Sequence, residues 1–130
     1  MTEPGIHIHH FSVMAPHDVI EETMAFYRDL LDIKPGYRPH FSLPGYWLYS
    51  GEQPIIHLVA NEERPQGSPG YFHHIALRCA DIDETISRLS AAGIEYREKD
   101  LNDVGQTQIT VIDPAGNLVE LNFEQRRTSE

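Results

Sequence analysis

Alternating apolar and polar residues open the chain, and a helical pattern follows them. Residues 6–14 alternate along their whole length, which predicts a β-strand. His17 then begins a stretch whose apolar residues recur every three or four positions, as on one face of an α-helix. This apolar stripe consists of Ile20, Met24, Tyr27 and Leu31. The helix is predicted to end at Pro35-Gly36. Three strands are predicted after it, over residues 37–42, 46–50 and 54–60.

The same order of elements recurs in the second half of the chain. Residues 61–70 are polar and rich in proline and glycine, which predicts a linker. A strand over residues 72–79 comes next, followed by a helix with Asp81 as its N-cap and Gly93 at its C-terminal stop. The remaining strands are predicted over residues 94–98, 107–112 and 118–123. The tail from residue 124 onward is expected to fray.

Sequence similarity between the two halves supports an internal repeat. His9-His10-Phe11-Ser12-Val13 returns as His73-His74-Ile75-Ala76-Leu77, so 64 positions separate His10 from His74. Residues 54–58 match residues 117–121 in the same way, which places His57 opposite Glu120. The pattern therefore predicts an α+β fold of two tandem βαβββ modules, at about residues 5–61 and 70–124, within one domain spanning residues 1–130.

The repeat also singles out four residues with metal-binding chemistry. Two modules related by a pseudo-twofold axis would bring His10, His74, His57 and Glu120 together. Each of these residues lies in a predicted strand whose opposite face is apolar, so all four would face away from the helices. Three imidazoles and a carboxylate suit a divalent transition metal. The alternative for any single histidine among them is a hydrogen-bonded residue of the core.

Composition and charge exclude several classes of partner. Ten Lys and Arg against twenty Asp and Glu give a formal net charge of −10, which argues against nucleic acid and against an anionic membrane surface. No apolar run approaches the roughly 18 residues of a membrane span, and the first residues show no signal-peptide pattern. The single cysteine, Cys79, excludes an internal disulfide and suits the reducing cytoplasm. It is expected to be an inert core residue.

The sequence resembles the vicinal-oxygen-chelate superfamily, which includes glyoxalase I, extradiol dioxygenases, fosfomycin-resistance transferases and bleomycin-binding proteins. The stretches that carry the resemblance are residues 10–13, 26–31, 72–77 and 113–121. The resemblance implies that the two modules form a curled, open-barrel sheet with the helices on its outer face. It also implies a homodimer, in which residues of both chains hold each metal.

The resemblance further implies a metal site and a class of activity. The implied ligands of one divalent ion (Fe, Ni, Zn, Mn or Co) are His10, His57, His74 and Glu120, and His57 or Glu120 would move a proton. Glyoxalase I usually has a glutamate at the His57 position, so His57 is a departure from that pattern. We expect a glyoxalase-like lyase or isomerase acting on a small substrate with vicinal oxygens. The alternatives are an Fe(II) extradiol-type dioxygenase, which needs only His10, His74 and Glu120, and a non-catalytic drug-binding protein.

Other polar and aromatic residues have two interpretations each. Arg38 and His40 either bind an anionic substrate group or form a solvated edge. The aromatic residues of the third predicted strand either line a pocket or pack in the core. These residues are Tyr46, Trp47 and Tyr49. The remaining histidines of the doubled stretch, His7, His9 and His73, are predicted to be structural because alternation places them on the opposite strand face.

Overall fold

The structure is a computed structural model that describes residues 8–63 and 74–124. The chain divides into two compact units, Met1–Pro65 and Gln66–Glu130. Within the described residues, each unit consists of one α-helix and one four-stranded sheet. No helix in this part of the chain is long and apolar enough to cross a membrane.

The first unit has a sheet of strand order β1-β4-β3-β2. Its elements are β1 (Phe11–Ala15), α1 (His17–Leu31), β2 (Lys34–Pro35), β3 (Gly45–Ser50) and β4 (Gln53–Ala60). Strand β1 runs parallel to β4, and the other neighbours are antiparallel. The sheet buries Ile56 and Leu58 of β4 completely, and α1 covers this apolar face with Ile20 and Tyr27.

The second unit repeats this topology, with strand order β5-β8-β7-β6. Its elements are β5 (His74–Arg78), α2 (Ile82–Ala91), β6 (Arg97–Leu101), a 3₁₀ turn (Asn102–Val104), β7 (Gln106–Ile112) and β8 (Leu118–Glu124). Strand β5 again runs parallel to β8. As predicted, the Asp81 carboxylate caps α2 by accepting a hydrogen bond from the Glu84 amide at 3.0 Å. The buried face is again apolar, with Ile109, Val119 and Leu121 almost fully covered.

Strand register confirms the predicted duplication into two βαβββ modules. Ser12 of β1 pairs with His57 of β4, and Ala76 of β5 pairs with Glu120 of β8. These are the same repeat-related positions that the sequence alignment of the two halves matched. The α+β fold is thereby confirmed, while the grouping of both modules into one domain stays a prediction.

Three predicted boundaries in the first unit are wrong. The strand predicted over residues 6–14 begins only at Phe11, because the ladder to β4 begins there, and residues 6 and 7 lie outside the described part. Helix α1 ends at Leu31 because Asp32 adopts a left-handed conformation with φ 58°. The strand predicted over residues 37–42 is a loop, and its place in the sheet is taken by the two residues of β2.

One boundary in the second unit is also displaced. The strand predicted over residues 94–98 is β6, which begins at Arg97. The Ile94 amide donates to the Leu89 carbonyl at 3.0 Å, so this amide closes the end of α2 and is not available to a strand. The predicted linker beyond residue 63, the start of the strand at residues 72 and 73, and the tail from residue 125 lie outside the described residues.

Candidate functional site

Three rings of the first unit form a stack on the sheet face that is turned away from α1. The imidazoles of His10 and His57 lie with their centroids 3.7 Å apart and their planes 11° from parallel. The Trp47 indole lies on the His57 ring at 4.2 Å and 10°. Trp47 and His57 are cross-strand partners in β3 and β4, and His10 directly precedes β1. We call these three side chains the ring stack.

Hydrogen bonds hold both imidazoles of the ring stack in position. The Nε2 atom of His57 lies 3.1 Å from the Pro54 carbonyl, which can only accept, so Nε2 carries the proton of the neutral ring. The lone pair of that ring is then on Nδ1. His9 Nδ1 and His10 Nδ1 are 2.8 Å apart, so one of them donates to the other. This bond leaves Nε2 of His10 as the nitrogen that can meet a ligand.

Burial lowers the pKa of His57 below its usual value of 6.5, and the nearby charge of His10 adds to the effect. The hydrogen bond to the Pro54 carbonyl acts in the opposite direction but does not offset the other two causes. Smaller contributions in the lowering direction come from the charges of His9 and Arg38. At neutral pH the His57 ring is therefore uncharged, which is the form that accepts a proton or binds a metal.

In the second unit, an imidazole and a carboxylate lie side by side. His74 Nε2 is 3.7 Å from Glu120 Oε1, and the two side chains are 38% and 21% exposed. The other carboxylate oxygen, Oε2, accepts a hydrogen bond of 2.9 Å from the Asn122 side-chain amide. Asn122 is two residues along β8 on the same strand face. This bond orients the carboxylate in the way that supporting residues orient metal ligands.

The pair in the second unit fits a metal ion better than the pair in the first unit does. Two ligands that are each about 2.1 Å from one ion lie roughly 3–3.5 Å apart, close to the distance between His74 and Glu120. The lone pair of an imidazole lies in the plane of its ring, and the rings of His10 and His57 are nearly parallel. Their lone pairs therefore do not converge, and one ring would have to rotate before both residues could bind one ion. No group of three or more His, Cys, Asp and Glu side chains is assembled for metal binding among residues 8–63 and 74–124.

Two residues contact the candidate ligands although the sequence did not pair them with those ligands. Of the two interpretations for Trp47, a pocket wall or the core, the structure favours the first, because its indole lies on the same sheet face as His57. A count of residues from the Ser50–Gln53 pair at the β3–β4 turn would have paired Trp47 with Ile56. The register shift between Leu48 and Tyr49 makes His57 the cross-strand partner of Trp47, and no local signal in the sequence indicates that shift. His9 was predicted to face away from His10, and this prediction is wrong because both residues precede β1, where strand alternation does not apply.

The other candidate side chains lie elsewhere. Tyr46 faces α1 and donates a hydrogen bond of 2.7 Å to Glu21, so it does not contact the ring stack. The Tyr49 hydroxyl donates to the Tyr37 carbonyl at 2.7 Å. His40 is exposed in the loop at residues 36–44. His7 and His73 lie outside the described residues. An open depression of about 650 Å³, bordered in part by Tyr37 and Tyr49, shares no lining residue with the ring stack.

Comparison with known proteins agrees with this architecture. A glyoxalase family protein from Bacillus anthracis is 28% identical to the chain, with a TM-score of 0.74 over 96% of this chain and 100% of that protein. Lactoylglutathione lyase from Agrobacterium tumefaciens is 21% identical, with a TM-score of 0.63 over 93% and 96% of the two chains.

A third solved structure has a similar fold and was obtained with a metal. A variant of the genomically encoded fosfomycin resistance protein from Listeria monocytogenes is 17% identical, with a TM-score of 0.67 over 95% of both chains. That protein was crystallised with manganese(II) and dihydroxypropylphosphonic acid. A family model matches residues 7–121, nearly the whole chain. The chain therefore belongs to the Glyoxalase/Bleomycin resistance protein/Dioxygenase superfamily.

Proposed function

We propose that this protein is a divalent-metal-dependent enzyme of the glyoxalase-like type, a lyase or isomerase acting on a small substrate with two neighbouring oxygens. The observation that carries the proposal is the His74–Glu120 pair, which Asn122 orients at a separation suited to a shared ion. In the other unit, His57 lies in β4 and His10 directly precedes β1, at the positions that correspond to Glu120 and His74. A bound divalent ion would supply Lewis-acid stabilisation of negative charge on the substrate oxygens.

The four candidate residues take different roles in this proposal. His10, through Nε2, His74 and Glu120 hold the ion, a set of two imidazoles and one carboxylate. His57 moves the proton, because its Nε2–H is bonded to the Pro54 carbonyl and its Nδ1 lone pair remains to accept a proton. Rotation of the His57 ring out of the stack would make it a fourth ligand, and Glu120 would then be the proton carrier.

The relatives support the class of activity and leave the ion open. A lactoylglutathione lyase and a manganese-bound fosfomycin resistance protein share the fold. Mixed nitrogen and oxygen ligands suit Fe, Ni, Zn, Mn and Co alike. We further propose a homodimer that acts in the cytoplasm, where the single thiol of Cys79 would stay reduced.

Elemental analysis of protein purified without chelator tests the metal site. We expect about one equivalent of metal per chain, and its loss in His74→Ala and Glu120→Gln. His17→Ala is the matched control, because His17 is an exposed histidine of α1 beside Glu21 and should keep the metal. Turnover of a methylglyoxal–thiol adduct by the loaded protein would identify the lyase. A metal content that is unchanged in both site variants would refute the proposed ligands.

An Fe(II) extradiol-type dioxygenase is the second candidate function. The position of His57 in the ring stack favours this candidate, because it leaves only His10, His74 and Glu120 to hold the ion. Three protein ligands leave coordination positions open for substrate and oxygen. Iron in the purified protein, together with oxygen consumption on addition of catechol, would select this candidate over the lyase. If no metal binds and small-molecule binding is unchanged in His74→Ala, both enzymatic candidates fail and a sequestering protein is the remaining one.

A further inference from the structure

Arg38 lies at the end of a row of contacting side chains that begins at His57 and continues through Trp47 and Phe41. The Phe41 ring lies 6.2 Å from the Trp47 ring, centroid to centroid. The guanidinium carbon of Arg38 lies 4.8 Å above the Phe41 ring, a cation–π contact. Both residues belong to the loop at residues 36–44, between β2 and β3. The loop therefore brings one positive charge beside the ring stack.

The donors of Arg38 are only partly used. Its Nη2 donates to the Leu43 carbonyl at 3.1 Å, which fixes the end of the side chain. Its Nε is the one side-chain nitrogen or oxygen in the described residues that is buried without a hydrogen-bond partner. An unsatisfied buried donor of this kind costs free energy and is rare in native structures, so it calls for an explanation such as a functional role or a bound water or ion.

The charge of Arg38 is not neutralised by a neighbouring carboxylate in the described part of the chain. Acidic residues outnumber basic ones twenty to ten, yet Arg38 forms no ion pair with a carboxylate within residues 8–63 and 74–124. Arg28 and Arg88 of the helices both pair with neighbouring carboxylates. Arg78 and Arg97 of the strands, like Arg38, form no ion pair within the described residues. An anionic ligand would be repelled by the net charge of the protein and would need a positioned cation to bind.

We propose that Arg38 binds a carboxylate of the substrate, so that the substrate is a small acid carrying a carboxylate in addition to its two neighbouring oxygens. This inference rests on the proposed function, since it assigns the substrate class of that same site. A carboxylate is favoured because its two coplanar oxygens match the planar fork of a guanidinium. Phe41 holds the plane of the guanidinium, and Arg38 is thereby a specificity residue that takes no part in proton transfer.

A pair of probes that differ only in a carboxylate tests the inference. Catechol and protocatechuate have the same two neighbouring hydroxyl groups, and protocatechuate adds one carboxylate. Their dissociation constants would be measured by calorimetry on metal-loaded and metal-stripped protein. We expect protocatechuate to bind the loaded protein about tenfold more tightly than catechol, as a charge-assisted hydrogen bond would require.

Variants of Arg38 separate this effect from a general effect of charge. In Arg38→Gln the two probes should bind equally, with catechol unchanged, and Arg38→Lys should keep only part of the preference because an ammonium lacks the fork. Phe41→Leu should weaken the preference by removing the ring under the guanidinium. Arg97→Gln, at an exposed arginine of β6, is the matched control and should behave as the parent does. Circular dichroism on each variant establishes that it is folded.

The outcomes distinguish this inference from the proposed function. If catechol binding depends on the metal but the carboxylate brings no gain, or the gain survives in Arg38→Gln, the inference about Arg38 is overturned and the metal site stands. If neither probe binds the loaded protein more tightly than the stripped protein, the inference about Arg38 is overturned, because the metal then does not hold the neighbouring oxygens of an acidic substrate. The proposed function is judged separately, by the metal content of the site variants and by turnover of the methylglyoxal–thiol adduct.

Discussion

The chemistry of His57 depends on three neighbours that differ in kind. The Pro54 carbonyl accepts from its Nε2, the His10 ring covers one face, and the Trp47 ring covers the other. The carbonyl selects the tautomer, and the two rings remove water from the imidazole. A neutral ring with its lone pair on Nδ1 results, and this is the form that our proposed proton carrier requires.

The pKa of His57 provides a first prediction. In metal-free protein we expect His57 to titrate below 6.5, and below its own value in concentrated urea, because burial disfavours the charged ring. The unfolded chain therefore binds a proton at His57 more readily than the folded chain does. Above about pH 6.5 this residue has no effect on the free energy of unfolding, and it lowers that free energy as the pH falls through the folded pKa. Nuclear magnetic resonance titration of the ring protons, assigned with His57→Gln, measures the value. A folded pKa at or above the urea value would contradict the prediction.

Cys79 provides a second prediction at the scale of one residue. Burial raises the pKa of its thiol to about 11. At pH 8 the thiolate fraction is then about 0.1%, whereas an unperturbed thiol of pKa about 8.5 is roughly a quarter ionised. Alkylation by iodoacetamide, followed by mass spectrometry, should be on the order of 100-fold slower in the folded protein than in urea. Equal rates in the two states would show that the thiol is not protected.

At the scale of elements, two units with the same topology carry different chemistry on matching strands. His57 of β4 lies opposite Trp47 of β3, while Glu120 of β8 lies opposite Thr110 of β7. The β3–β4 pair therefore carries stacked rings, whereas in the β7–β8 pair the Glu120 carboxylate accepts a hydrogen bond from Asn122. The backbone ladder is common to both units, so the difference arises from side chains on the face turned away from the helices.

The start of β3 depends on a glycine, which leads to a third prediction. A Cβ at Gly45 would overlap the Leu58 carbonyl oxygen of β4, which is part of the backbone and cannot move aside easily. Gly45→Ala should therefore lower the free energy of unfolding by about 1–3 kcal/mol, as other overpacked sites do. Gly51→Asn is the control, since Gly51 has φ +62° with open space around it and asparagine tolerates that conformation. Urea denaturation of both variants gives the comparison, and an equal effect would argue against close approach at Gly45.

At the scale of the whole molecule, the two units share one topology and each contains its own apolar core. The duplication extends over the described residues of both units and agrees with the family model that matches residues 7–121. The formal net charge of −10 acts on any ligand that approaches the protein. A bound cation would offset part of this charge, so we expect metal binding and folding stability to be linked.

This linkage gives a fourth prediction. Saturating metal at about 100 times its dissociation constant adds roughly 2.7 kcal/mol to the stability of the folded state. Removal of the metal with a chelator should then lower the melting temperature by several degrees, as measured by calorimetry. His10→Ala should melt at one temperature with or without chelator, while His17→Ala should respond as the parent does. A chelator response that persists in His10→Ala would remove His10 from the ligand set.

Much of the fold could be predicted because its signals are local. Alternation placed β4 and β7 to within one residue of their observed limits, and Asp81 was identified as an N-cap from its position before an apolar stripe. The errors at the ends of the two helices occurred where the backbone conformation or a backbone hydrogen bond ended the helix. The Ile94 amide closes α2, and Asp32 ends α1 in a left-handed conformation. Neither feature can be recognised from the pattern of apolar residues.

The sequence by itself determined the order of elements, the duplication and the family, since periodicity and repeat position are properties of the chain alone. It also selected His10, His57, His74 and Glu120 as candidates. Only the tertiary structure decided that the His57 ring lies between His10 and Trp47, and that Arg38 lies above Phe41 with its Nε unsatisfied. The physical reason is that ring stacking and hydrogen bonds between strands and loops depend on register and side-chain rotamers, which are set by packing between segments distant in sequence.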